Sequence, residues 1–431
     1  MGRFPLLLAL AVALYGSSAL RAQRTDAFVE PRDHPAIAYS RGETADVVDA
    51  LNRRLERGDV RLRFDSATGY LPSVLEALDV PVESQVALFD QNSFQAPEIS
   101  MANPRALYFN DAVAVGYVRG GALLEVAALD PRQGVIFYAL DQKPVERPRF
   151  TRNDDCLACH LSWTTLGVPG LFVLSMQTVP EDTHAYASGF ASDHRTAFDE
   201  RWGGWYVTGS LGGIRHLGNR PISTASTPEA VHAEARELAS LAGAIDTSGY
   251  LTPYSDVAAL MVLEHQTHMT NLIVRLGWEA RVAVYGRGES GADGPLPPNV
   301  RARLDEAASD LVDYLLFAYE APLPAAVMGS SGFAEKFAAR GPFDRQGRSL
   351  RQLDLTRRLL RYPCSYMIYS AAFEALPAVA KNLVYRRLWR VLSGADQDAR
   401  YRRLSPADRR AISEILVDTK KDLPEYFKRP V

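Results

Sequence analysis

ALYFNDAVAVGYVRGGALLEVAALDPRQGVIFYAL, residues 106–140, carries the β signal of this 431-residue chain. Four runs rich in β-branched and aromatic residues (107–109, 113–118, 123–128 and 135–140) are separated by Asn110-Asp111, Gly120-Gly121 and the turn-forming stretch 130–134. Short strands joined by short polar breaks predict an antiparallel meander of three or four strands, with a scaffold role. Upstream, Val47, Val48, Leu51 and Leu55 recur at helical spacing and predict a helix over 46–55 ended by Gly58. A second short helix is expected over 72–78. Residues 24–43, with Pro31 and Pro35, read as a polar arm. From residue 228 the pattern turns helical, over 228–241, 256–276, 299–319, 333–339, 366–376, 379–392 and 407–417. The stretch 256–276 is apolar nearly all round, which predicts a buried central helix, and 286–298, rich in Gly and Pro, predicts a loop.

Between the meander and the helices lies Cys156-Leu157-Ala158-Cys159-His160, a C-x-x-C-H motif in a chain with only three cysteines. On these five residues the sequence resembles c-type cytochromes. The resemblance implies one covalent haem c, with Cys156 and Cys159 adding to the porphyrin vinyl groups and His160 as the proximal iron ligand. Zinc bound by the same three side chains is a second reading, but no further C-x-x-C or H-x-x-x-H pair offers a fourth ligand. A thioredoxin-like redox pair is a third, and it lacks a βαβ context.

The N-terminus fits the haem reading. Arg3, an apolar run over 6–15 and small residues up to Ala22 predict a secretory signal over 1–22, and haem is attached to c-type proteins outside the cytoplasm. The expected location is therefore periplasmic or otherwise exported. The apolar run is short for a bilayer, and no other stretch approaches membrane-span length, so no membrane span is expected in the mature chain. A net charge of −3 argues against nucleic acid as a partner. The fold class expected is α+β, divided as an N-terminal helix plus β-meander domain over 24–147, a haem-binding segment over 148–220 and a helical C-terminal domain over 221–431. Within the middle segment, 167–170 reads as a turn, 171–174 as an apolar strand or haem wall, and 201–209 as an aromatic strand with glycines around it.

The sixth iron position then divides the functional readings. Met176, His216 and His265 are the candidates to fill it. His216 and His265 are also the candidate acid/base groups if the position is open. His268 shares a helix face with His265 beside Glu264. His34, His184, His194 and His232 read as surface residues. Arg195, Arg201 and Arg215 are candidates to neutralise haem propionates, with local salt bridges as the simpler account, and Cys364 reads as a small packed hydrophobe. Three functions follow: an electron-transfer protein, a peroxidase-like haem oxidoreductase, or a haem-based sensor. The partner is a redox protein or a small-molecule substrate. There is no G-x-S-x-G, H-E-x-x-H or Walker-type loop to suggest other chemistry. The last fifty residues are basic, which fits either a solvated helical face or a docking patch for an acidic redox partner.

Overall fold

The computed structural model describes residues 29–176, 189–221, 237–285, 287 and 296–428. The expected signal segment 1–22, His184, His232 and most of the 286–298 loop lie outside them. A short helix α1 (Val29–Asp33) leads into α2 (Val47–Arg57), then α3 (Leu71–Ala77). Asp46 both caps and docks α2. Its Oδ1 accepts from the Val48 and Asp49 amides at 2.8 and 3.0 Å, and its Oδ2 accepts from the Tyr138 hydroxyl at 2.7 Å. Gly58 closes the helix in the left-handed region at φ +76°.

The predicted meander is present. Strands β1 (Val86–Leu88), β2 (Arg105–Phe109), β3 (Val113–Tyr117), β4 (Leu123–Asp130) and β5 (Gly134–Asp141) pair antiparallel in chain order. The middle segment closes both edges. Strand β6 (Thr151–Arg152) pairs with β5, and β9 (Trp205–Tyr206) pairs with β1, giving the seven-stranded order β6-β5-β4-β3-β2-β1-β9. The stretch 148–220 thus contributes a strand to each edge of the sheet, β6 beside β5 and β9 beside β1. Between those edges lie the helical turn α4 (Leu157–His160) and a two-stranded sheet of β7 (Val173–Met176) and β8 (Gly189–Ser192).

Alternation gives the large sheet two unlike faces. Tyr108, Val115, Val126, Ile136 and Tyr138 point into the core and are buried. Leu107, Ala114, Ala127 and Ala139 point the other way and are half-buried, with Gly116 and Glu125 beside them.

The C-terminal half is helical, with α5 (Val257–Val284), α6 (Pro298–Leu315), α7 (Phe333–Ala339), α8 (Ala371–Glu374), α9 (Ala378–Leu392) and α10 (Pro406–Thr419). Helix α5 is central and buried on nearly every side, as its composition predicts, and packs against α6, α7, α8 and α9. It crosses the end of the sheet, where Gln266 Nε2 donates to Asn110 O at 2.8 Å and Trp278 Nε1 to Gln133 O at 3.2 Å. One continuous hydrophobic core runs from Ile37 to Phe427. Among the described residues no helix is long and apolar enough to cross a membrane.

Three local expectations change. Of 201–209 only Trp205–Tyr206 is strand, because Trp202 (φ +69°) and Gly204 (φ +89°) turn the chain before it. Residues 237–241 are not helical: Leu238 bridges to Thr208 instead, and the rest of that predicted helix falls mostly outside the described residues. The 366–376 helix is split into a 3-10 turn, Tyr366–Tyr369, and α8, with Ser370 capping the second piece through the Phe373 amide.

Candidate functional site

The C-x-x-C-H is placed by the sheet edge. After β6, Asn153 N donates to Phe137 O at 2.8 Å, and its side chain accepts from the Asp155 amide, starting a 3-10 turn that runs into α4. Positions i, i+3 and i+4 of a helical turn share one side, so Cys156, Cys159 and His160 project together. Leu157, one residue out of phase, is buried and anchors the turn. Cys159 is exposed and Cys156 half-buried, and both thiols are free. Burial, with Glu125 nearby, pushes the Cys156 thiol up to about 11.

His160 is held from three directions. Its ring lies between Phe137 (centroids 4.9 Å) and Phe172 (5.3 Å), and its Nδ1 is 2.9 Å from Gly170 O. A carbonyl only accepts, so Nδ1 carries the proton and Nε2 carries the lone pair. Nε2 makes no hydrogen bond among the described residues. Desolvation lowers the ring's pKa to about 4, with the Arg105 guanidinium adding to it and the Gly170 bond opposing it. The imidazole is therefore neutral near pH 7, as a metal ligand must be. Gly170 is fixed in turn by helix α5, where a Cβ would come 2.0 Å from Asn271 Oδ1 while Asn271 Nδ2 donates to Leu171 O at 2.9 Å.

Beside the motif lies the small-residue face of the sheet. Arg105 and Glu125 pair across it at 2.8 Å, each about 20% exposed. Gly116 makes room for this, since a Cβ there would sit 2.7 Å from an Arg105 guanidinium nitrogen. The Ser93 hydroxyl donates to Glu125 Oε1 at 3.3 Å, and its neighbour Asn92 has Nδ2 3.7 Å from Met176 Sδ. Met176 is buried. By strand alternation it shares a side of β7 with Leu174, and Phe172, the residue against His160, immediately precedes that strand.

The other sequence candidates lie elsewhere. His216 is buried against Trp202 (centroids 5.4 Å), and its Nδ1 accepts from the Gly218 amide at 3.0 Å. Burial lowers its pKa to about 4. His265 is buried on α5 with both ring nitrogens engaged, Nδ1 with His194 Nδ1 at 2.8 Å and Nε2 with Ser365 Oγ at 2.7 Å. To ligate iron it must give up one of these bonds. It stacks on Phe317 (4.4 Å) and Tyr314 (5.2 Å). His268 meets Arg195 and Asp193 at the margin of the same cluster.

His194 contradicts its surface reading: the rings of Tyr314 and Phe317 cover it, and it is 2% exposed. Arg201 is spent on Glu264 in the core at 3.1 Å, and Ser192 Oγ donates to the other carboxylate oxygen at 2.6 Å. Arg195 is bound to Asp193, the local bridge expected as its simpler account. Cys364 is fully buried, as a small hydrophobe would be.

Sequence reasoning missed Arg105, Glu125, Phe137, Phe172 and Gly170 as neighbours of the motif. Strand alternation does mark Arg105 and Glu125 as polar residues on the non-core face. No local signal brings Phe137 and Phe172, thirty-five positions apart in sequence, to the same imidazole. Among the described residues no three His, Cys, Asp or Glu side chains converge as a metal site. Comparison with protein-family models, with curated proteins and with solved structures finds no match to this chain.

Proposed function

We propose that this chain is an exported, periplasmic c-type mono-haem protein that transfers electrons. One observation carries the reading: His160 donates Nδ1–H to a fixed backbone carbonyl and has no bond to Nε2 among the described residues, and helical spacing puts it on the side of two free thiols. Metal-ligating histidines are oriented in this way by their other ring nitrogen. The residues fit a haem in further respects. Phe137 and Phe172 fix the imidazole plane, and the sheet beside the motif presents small half-buried side chains where a flat ring can approach. Arg105 is a cation close enough to the site to act on His160.

Bound haem would supply a one-electron iron couple. Cys156 and Cys159 would hold it as thioethers, and His160 would ligate the iron. Met176 is the best supported of the three proposed sixth ligands, because it lies on the strand leaving the His160 site and its thioether has one weak hydrogen-bond contact to lose. His265 is less favoured, with both nitrogens committed. The zinc reading needs about four protein ligands, whereas a porphyrin brings four nitrogens and asks the protein for one or two.

The test is the protein matured with an intact export and haem-attachment pathway. Haem should stay with the denatured chain on a gel and be lost in Cys156→Ala/Cys159→Ala. Absence of haem in the wild type sinks the proposal. A reduced spectrum unchanged by carbon monoxide is the outcome expected of a closed, electron-transferring iron. A shifted spectrum moves the reading to a haem oxidoreductase or sensor with an open position.

A further inference from the structure

A cleft of about 880 Å³ opens between the 195–215 segment, the 319–324 turn that follows α6 and the 398–403 turn that precedes α10. Small-molecule sites fall in the range of about 300–1,000 Å³. Five arginines line it: Arg195, Arg215, Arg400, Arg402 and Arg403, against Asp199, Asp398 and Glu320. Three of the five are committed. Arg195 binds Asp193 at 2.6 Å, Arg400 binds Asp313 at 2.7 Å and Asp398 at 3.1 Å, and Arg403 donates to the carbonyl of Glu320. Arg215 and Arg402 are exposed and make no hydrogen bond or ion pair among the described residues. Two exposed guanidiniums with no partner among the described residues, on one concavity, suit an oxyanion, which each can grip with paired N–H donors.

The floor of the cleft is a built polar site. Glu320 lies there, 9% exposed, with Oε1 accepting from the Leu359 amide at 2.8 Å. Beneath it is a void of about 10 Å³ bordered also by His194, Arg201 and Arg358, room for roughly one water. His194 Nε2 is buried and has no hydrogen-bond partner among the described residues, a condition rare enough to need an occupant. The chain that positions Glu320 is strained. Phe317 (φ +57°) and Tyr319 (φ +65°) are both left-handed without being glycine, and such strain concentrates at functional sites. Tyr319 is 63% exposed at the cleft, with Ile214 and Pro322 as apolar wall.

We propose that this cleft binds a small organic oxyanion, a carboxylate or phosphate on an apolar body, with Arg215 and Arg402 holding the charged group and Tyr319, Ile214 and Pro322 covering the body. A concavity of this volume with a water-sized void bordering Glu320 fits a small molecule better than the flat acidic face of a protein. The inference does not rest on haem.

Calorimetry on the full chain tests it, using haem-loaded protein and the Cys156→Ala/Cys159→Ala form in parallel, with benzoate, phenyl phosphate and inorganic phosphate as probes. Saturable binding of benzoate or phenyl phosphate is expected in both forms, and the tighter of the two tells carboxylate from phosphate. Inorganic phosphate should bind more weakly than phenyl phosphate. Arg215→Gln/Arg402→Gln should weaken binding at least about tenfold with an unchanged melting temperature. Should the double variant unfold, Arg402→Gln alone is expected to show part of that loss. The proposal is overturned by no saturable binding of any probe, by equal binding in a folded variant, by inorganic phosphate matching phenyl phosphate, or by binding of acidic proteins only.

Discussion

His160 and His265 share lowered basicity and aromatic neighbours, and differ in exposure and in their hydrogen bonds, His160 being partly buried and His265 fully buried. Both lie in helical turns, both lie against aromatic rings, tilted for Phe137 and Phe172 on His160 and stacked for Tyr314 and Phe317 on His265, and burial lowers the pKa of each, to about 4 and about 3. Their hydrogen bonds differ. His265 has a partner on each nitrogen, whereas among the described residues His160 has one on Nδ1 alone. Lowered basicity and aromatic neighbours are thus common to both; what His160 has beyond them is an oriented ring with one nitrogen unpartnered among the described residues, the feature on which the proposed ligand role rests. The charge pairs around the two sites differ in the same sense. Arg201–Glu264 is sealed in the core, at 3% and 0% exposure, while Arg105–Glu125 lies half open beside the motif at 20% each. The charge pair beside His265 is closed off from water, and the one beside the motif is not.

The sharpest way to break this comparison is to cut the two ion pairs. Arg201→Met strands the Glu264 carboxyl, whose pKa burial already raises despite Arg201 and Ser192. It should cost about 3–5 kcal/mol in denaturant unfolding, because a buried charge loses its partner. Arg105→Met should cost under about 1 kcal/mol, since both groups still reach water. Equal losses would mean the half-open face is as finished as the core. Next in size is His265→Ala, which removes two hydrogen bonds and a stacked ring and should cost about 2–4 kcal/mol.

The scaffold was legible in sequence and the site only at its nucleus. The meander shows because alternation and turn residues are local signals, and helix α5 shows because its apolar run is long and capped by Asp256. The five motif residues are likewise contiguous. What holds His160 is not: Phe137 arrives by strand pairing, Phe172 by the return of the 167–171 turn, and Gly170 by packing on Asn271. His194 misled for the converse reason. Asp193-His194-Arg195 has a surface composition, and only the fold reveals that Asp193 and Arg195 satisfy each other while the ring between them turns inward to His265. The 201–209 stretch failed as a strand because Trp202 accepts a left-handed backbone that its residue type disfavours.

Glu320 gives a smaller effect, and its sign is fixed. Burial raises its pKa to about 7 despite the opposing Leu359 amide and the Arg358, Arg201 and Arg403 guanidiniums. The folded chain therefore holds this proton more tightly than the unfolded one, and the stability it contributes is present below pH 4.5 and lost as pH rises through about 7. Glu320→Gln keeps an acceptor for the Leu359 amide and removes the charge. Thermal or denaturant unfolding at pH 8 should show the variant more stable by about 2 kcal/mol, with the gap closing towards pH 4.5. A variant less stable at pH 8 would mean the arginines over the cleft need the carboxylate there.

The smallest effect tests the His160 side of the comparison directly. In haem-free protein, His160→Ala loses one hydrogen bond to Gly170 and part of a stacked ring but strands no partner on Nε2, so it should cost only about 1 kcal/mol near pH 7. The folded pKa of about 4 lies below the ordinary value of 6.5, so the wild-type ring contributes stability above pH 6.5 and loses it as pH falls through 4. The cost of the substitution should accordingly shrink as the solution is acidified, pass through zero well above pH 4, and leave the variant the more stable form at pH 4. A loss of several kcal/mol, as expected for His265→Ala, would mean that His160 is held for the sake of the fold. A loss near 1 kcal/mol, with haem no longer ligated by the matured variant, would mean that the fold holds this imidazole ready for something outside itself.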